Sequence, residues 1–123
     1  MRAGNRIYLC LKEVFDGRVW PKVKPSSQSN DNRAYAVYQR ISGTPENTVD
    51  GYAEINQCRY QITVYDQDYD NAFTLGESAK RVIDHDVLLS ALIGVDEMDQ
   101  DAETNLWFMR FDATVWEQLH IGA

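Results

Sequence analysis

The chain is poor in the residues on which most specialised chemistry depends. Its 123 residues include two cysteines, two histidines and three prolines. Two histidines and two distant cysteines, Cys10 and Cys58, are too few to build a zinc cluster. The cysteines fall on a helix-like and a strand-like stretch, which reads as two separate buried thiols rather than a bridge, and so as a reducing cytosol. No glycine-rich phosphate loop, Gly-x-Ser-x-Gly elbow or Cys–His pairing is present, so nucleotide and nucleophilic chemistry have no motif to stand on. No apolar run approaches the roughly 20 residues needed to cross a bilayer. The segment Met1 to Val14 is broken by Asn5, Lys12 and Glu13 and does not read as a signal peptide. Positive charge is also scarce, with 12 Lys and Arg against 19 Asp and Glu, a formal net charge of −7. The basic residues are dispersed, while acids gather at Asp66–Asp70 and Asp96–Glu103. Nucleic acid held by phosphate neutralisation needs a basic stripe, so no specific nucleic-acid binding is expected.

What is present reads as an ordinary soluble domain, 44% hydrophobic and 25% charged. One domain over residues 1–123, with 118–123 a loose tail, is long enough to bury roughly two-thirds of its unfolded surface. Ile7, Cys10, Leu11 and Val14 recur at helical spacing over Arg6–Phe15, and Gly17 marks a stop. Arg18–Val23 is β-prone, but Pro21 lacks an amide donor, which predicts an edge or irregular strand. Pro25–Arg33 is a polar loop. Ala34–Ile41 alternates as a strand with Tyr35, Val37 and Ile41 on one face and Tyr38 and Arg40 on the other. Ser42–Asp50 has loop chemistry, and Tyr52–Tyr65 is a long strand. Asp70 is placed to cap a helix with Ala72, Leu75, Ala79, Val82 and Ile83 on its apolar stripe; Thr74 and Glu77 offer an alternative capping box one turn later. Gly94–Met98 reads as a short strand, Asp99–Thr104 as an acidic turn, and Asn105–Glu117 as the clearest strand, with Trp107, Met109, Phe111, Ala113 and Val115 on one face. The expected fold is α+β: a mostly antiparallel sheet of about five strands, two helices packed on one face, and a long protruding β-hairpin.

The hairpin Ala34–Tyr65 is too long for the core of so small a domain. Cys58, Tyr60, Ile62 and Val64 share one phase of its second strand, whereas Ala53 and Ile55 sit on the other. A strict period of two forbids this without a break. Either a bulge lies near Asn56–Gln57, or the tip buries its apolar side against another surface; the second reading is preferred. Outward or peripheral phases are assigned to Trp20, Tyr38, Tyr52, Tyr65 and Trp116, and such aromatics are favoured interface anchors. The candidate oligomer or tail interface is therefore Trp20, Arg40, Thr48, Val49, Tyr52, Ile55 and Tyr65. The bland alternative for Trp20 and Trp116 is that they cover sheet edges.

The sharpest chemical signal is Asp66, Asp68 and Asp70 with Glu77, spaced as in a calcium loop. The sixth position is Asn71 where a sharp turn wants glycine. A solvated acidic turn that caps a helix and complements its dipole is the preferred reading; a calcium-stabilised protein-binding module is the alternative. Asp84-His85-Asp86 cannot converge, since sequence neighbours on a helix do not share a face. No catalytic residues and no cofactor are indicated.

Four ordered segments resemble a known family. They are Gly17-Arg18-Val19-Trp20-Pro21 after a short helix, Ala36-Val37-Tyr38-Gln39-Arg40-Ile41-Ser42, the Asp50-Gly51 step, and Arg59-Tyr60-Gln61-Ile62-Thr63-Val64-Tyr65 feeding a helix near Ala72. In order and spacing the chain resembles the tail-completion (tail-terminator, or head–tail joining) proteins of long-tailed phages and prophages over about Ile7–Trp116. The resemblance implies a non-enzymatic ring, commonly a hexamer, that ends the tail tube and offers a docking face to the head. The implied partners are further copies of itself, the tail-tube protein and the head connector. DNA would pass through an acidic ring without binding specifically, and no membrane is involved. The implied location is the bacterial host cytoplasm during assembly and then the virion tail. The long hairpin would contribute to contacts between neighbouring subunits. The acidic stretch Asp96–Glu103 departs from the family pattern.

Overall fold

The computed structural model describes residues 3–28, 32–48 and 51–118; the side chains of 28, 42–56, 117 and 118 lie outside the description. Of the expected loose tail 118–123, Gln118 ends a strand and 119–123 lie outside the described residues. Helix α1 spans Ala3–Lys12 and buries Ala3, Ile7 and Leu11. It starts and ends three residues earlier than its periodicity suggests. Phe15, 1% exposed, stays in the core because Val14 and Phe15 both donate to the Leu11 carbonyl in a closing turn. Asp16 and Gly17 then take left-handed backbone, φ 53° and 81°, and Gly17 donates to the Lys12 carbonyl. The stop thus occupies a whole turn ahead of the glycine.

Strand β1 (Val19–Pro21) is an edge strand, as Pro21 requires. It runs parallel to β2 (Tyr35–Thr48), pairing Val19 with Ala36 and Pro21 with Tyr38. The segment Ser42–Thr48, expected as loop, continues β2, because pairing with β3 (Gly51–Asp66) overrides its Gly/Pro composition. The pairing shifts between Arg40 and Ser42 and between Pro45 and Asn47. The ladder of β3 with β5 (Trp107–Gln118) runs without interruption from Asp66 to Ile55, whereas its ladder with β2 shifts just beyond Asn56, close to the break expected near Asn56–Gln57. Over that span β3 is a central strand, so the protruding arm expected from Ala34 to Tyr65 is not borne out there. Whether the tip side chains cover another surface lies outside the described residues.

Helix α2 (Tyr69–Asp84) is capped by Asp68, not Asp70. Asp68 accepts from the Asn71 amide at 2.9 Å while its own amide donates to Asp66 at 2.9 Å. Thr74 and Glu77 lie inside the helix rather than at its start. Strand β4 runs Leu92–Gln100, taking in residues expected as acidic turn, and the turn itself is Ala102–Thr104. The sheet order is β1-β2-β3-β5-β4, antiparallel except at β1. The fold is α+β with both helices on one face. That face carries Ala36, Cys58, Tyr60, Ile62, Val64, Met109, Phe111, Ala113 and Val115, all packed with Ile7, Leu11, Ala79 and Ile83. Tyr38, expected outward, lies on this helix-covered face, two residues from Ala36 and on the same phase. No described helix is long and apolar enough to cross a membrane.

Gly76 sets how closely α2 approaches the sheet. A Cβ there would lie 2.3 Å from Met109 Sδ and 2.9 Å from Met109 Cβ, so only glycine allows this approach. The helices are also tied by charge. Asp86, its side chain 6% exposed, accepts from Arg6 Nε at 2.7 Å and from Cys10 Sγ at 3.2 Å. Its second oxygen accepts from the amides of Leu88 and Leu89. Burial alone would raise the Asp86 pKa; the hydrogen bonds from Cys10, Leu89 and Arg6 outweigh it and hold the carboxyl below its ordinary value. Burial, with the Asp86 carboxylate beside it, pushes the Cys10 thiol up to about 12, so Cys10 stays protonated and unreactive. Cys10 and Cys58 are both thiols.

Candidate assembly face

The sheet face turned away from the helices is built from the alternate residues of the same strands. On the register line Tyr35–Tyr65–Phe108–Asp99, three aromatics lie side by side across β2, β3 and β5. Tyr35 and Tyr65 stack with centroids 4.9 Å apart at 17°, and Tyr65 meets Phe108 at 5.9 Å. Trp20 extends the row from β1, 5.8 Å from Tyr35. Cations sit over two of the rings: Lys24 Nζ lies 4.7 Å from the Tyr35 ring centroid, and the Arg110 guanidinium the same distance from Phe108. Arg110 also reaches Glu97 at 3.2 Å. Val37 and Thr63, 9% and 3% exposed, are the next pair on the same strand phase as Tyr35 and Tyr65.

At one end the row borders a cleft of about 410 Å³ walled by Lys24, Arg33, Tyr35, Tyr65, Thr104 and Leu106. Burial pushes the Tyr35 hydroxyl up to about 12, with Tyr65 and Asp101 adding to it. Burial raises Tyr65 too, against the pull of Arg110. Both phenols are neutral at physiological pH and act as hydrogen-bonding, stacking groups. This is the chemistry of a recognition surface.

The expected interface residues divide. Trp20 and Tyr65 belong to the aromatic row. Arg40 stands at the β2 register shift, exposed, with its Nη2 donating to Cys58 Sγ at 3.2 Å. The side chains of Thr48, Tyr52 and Ile55, and the whole of Val49, lie outside the described residues. Trp116, 41% exposed, lies on the same face as the row. Tyr35, Phe108, Lys24 and Arg110 were missed. The available signal was parity for three of the row's residues: Tyr65 in β3, and Phe108 and Arg110 in β5, occupy the phases opposite the apolar ones, whereas Tyr35 shares its phase with Val37 and gave no such signal.

The acidic loop is arranged for capping. Asp66 and Asp68 each accept a backbone amide, Asp70 lies in the first turn of α2, and Glu77 pairs with Lys80 at 2.9 Å. Lys80 also bonds Asp96 of β4, tying α2 to that edge strand. Desolvation would lower the Lys80 pKa, but the bonds it donates to Asp96 and Glu77 raise it. Among the described residues no three His, Cys, Asp or Glu side chains converge as a metal-holding group.

The family model for tail completion protein gp17 matches residues 11–116 of the chain. The chain belongs to that family. No curated protein matches it. Membership makes the protein a structural component of phage tail assembly, acting with phage tail and head components. The match begins inside α1 and ends in β5, so it takes in every strand of the sheet and the whole of α2.

Proposed function

We propose that this tail-completion protein forms a ring on the head-proximal end of the finished tail tube, stops tube growth there and joins the tube to the head connector, without catalysing any reaction. The observation that carries this reading is the family match over nearly the entire sheet. The open aromatic row supports it: a face that hides its apolar residues with its own side chains needs no helix, and so stays accessible to a partner subunit. Trp20, Arg40 and Tyr65, with Thr48, Val49, Tyr52 and Ile55 of the β2–β3 hairpin, are the proposed contact residues. A net charge of −7 suits a ring through which DNA passes without sticking.

The test is electron microscopy of lysates in which the gene is deleted and then supplied in trans. Loss should leave filled heads and unattached tails, and complementation should restore joined particles with this protein at the junction. Normal joined virions in the deletion would refute the reading.

A further inference from the structure

Charge is not spread evenly over this molecule. Eight of the 12 basic residues and only three of the 19 acidic ones fall within the first 40 positions. Those positions form α1, β1 and the start of β2, one side of the sheet; β4 forms the other edge. Four strand spacings of about 4.8 Å separate β1 from β4, roughly 19 Å in all. That is more than twice the Debye length of about 8 Å in physiological salt. The basic and acidic edges are therefore screened from each other within one molecule. Asp96 and Glu97 of β4 pair within the molecule with Lys80 and Arg110, neither of which belongs to the basic edge, so the two edges themselves can meet only between molecules.

Both edges also have unused backbone. Strand β4 pairs with β5 alone, and β1 covers only Ala36–Tyr38 of β2. Among the described residues, β2 beyond Tyr38 has no partner strand on that side. Natural edges are commonly blunted by lysine or proline, and β4 contains neither. Its neighbourhood is apolar instead: Val95 is 93% exposed and Leu92 62%, and Val87 and Leu88, also exposed, precede them. Val23 and Ile41 are exposed at the opposite edge.

We propose that copies of this chain join edge to edge, the acidic, apolar β4 edge of one copy seating on the basic β1–β2 edge of the next. The proposal rests on the ring reading above and adds the surface that makes the ring. Two different patches of the same chain are matched, which gives a head-to-tail contact; such contacts close into a ring when the rotation permits. A two-fold dimer through either edge would set like charges together.

Sedimentation velocity on the full chain, across a concentration series at low and at high salt, tests this. Wild type should self-associate, more weakly at high salt. Asp99→Lys and, separately, Lys22→Asp should each weaken association about tenfold. An equimolar mixture of the two should recover wild-type association, because the reversed charges then face each other at alternate contacts. Lys22 has φ 71°, which aspartate tolerates, and circular dichroism verifies folding of each variant. Should Asp99→Lys fail to fold, Val95→Lys on the fully exposed edge decides in its place, with the same loss expected. Assembly of the variants like wild type, with no effect of mixing, overturns the edge assignment and leaves the ring standing. A wild type that is monomeric at every concentration, alone and with purified tail tubes, overturns both.

Discussion

The two faces of one sheet are buried in different ways. On the helix side, Phe111, Ile62, Val64 and Met109 are sealed by α1 and α2 and have almost no contact with solvent. On the other side, Trp20, Tyr35 and Tyr65, half-buried, and Phe108, buried, lie along the strands themselves, with cations over the Tyr35 and Phe108 rings. The first arrangement maximises apolar area removed from water and holds the fold. The second retains a flat, aromatic, partly wet surface, which is what recognition requires. The contrast shows that burial at one residue does not tell a helix-sealed core from a face covered by neighbouring strands; the identity of the covering element does.

The contrast can be broken most forcefully at the two phenylalanines. Phe111→Ala should cost about 3–5 kcal/mol in urea unfolding, whereas Phe108→Ala on the open face should cost about 2 kcal/mol, since water can relax into the site. Equal losses would mean that the open face is a second core.

Next in size is the tie between the helices. Asp86→Asn should destabilise by about 2–3 kcal/mol, because Arg6 and two backbone amides lose a charged acceptor. Asp86 has a folded pKa below its ordinary 3.8, so its stabilisation is complete above that value and is lost as pH falls through the lower, folded value. The gap between wild type and Asp86→Asn should therefore be constant near neutrality and close below about pH 4. A gap that persists at low pH would show that shape, not charge, holds this corner.

A smaller effect is expected at Gly76. Alanine gains about 1 kcal/mol of helix propensity but forces Met109 aside, a cost of about 1–3 kcal/mol. The melting temperature should fall by a few degrees, roughly as a 1 kcal/mol loss does in a domain of this size. The finest test is a double-mutant cycle on Tyr35→Leu and Tyr65→Leu. A coupling of about 1 kcal/mol is expected for the stacked pair, and zero coupling would reduce the row to coincidental neighbours.

Much of the fold was legible along the chain. Strand β5 declares itself through five alternating apolar residues, and α2 through its stripe from Ala72 to Ile83, because period alone sets which side faces inward. The ends were less legible. Asp66, Asp68 and Asp70 offer several caps of similar quality, and only the path of β3 into α2 selects Asp68. The continuation of β2 through Gly43 and Pro45 was hidden because the pairing strand, not local composition, decides it.

By itself, then, the sequence determined the fold class, the helix-facing residues of β3, β5 and α2, and the family motifs, since each depends on local periodicity or on order along the chain. Tertiary structure alone decided what lies beside what. It aligned Tyr35, Tyr65 and Phe108 into one row, and it inserted β5 between β3 and β4. That insertion sends the basic first third of the chain and the acidic β4 to opposite edges. Strand order is a long-range choice set by packing of all the elements at once, and no local pattern encodes it.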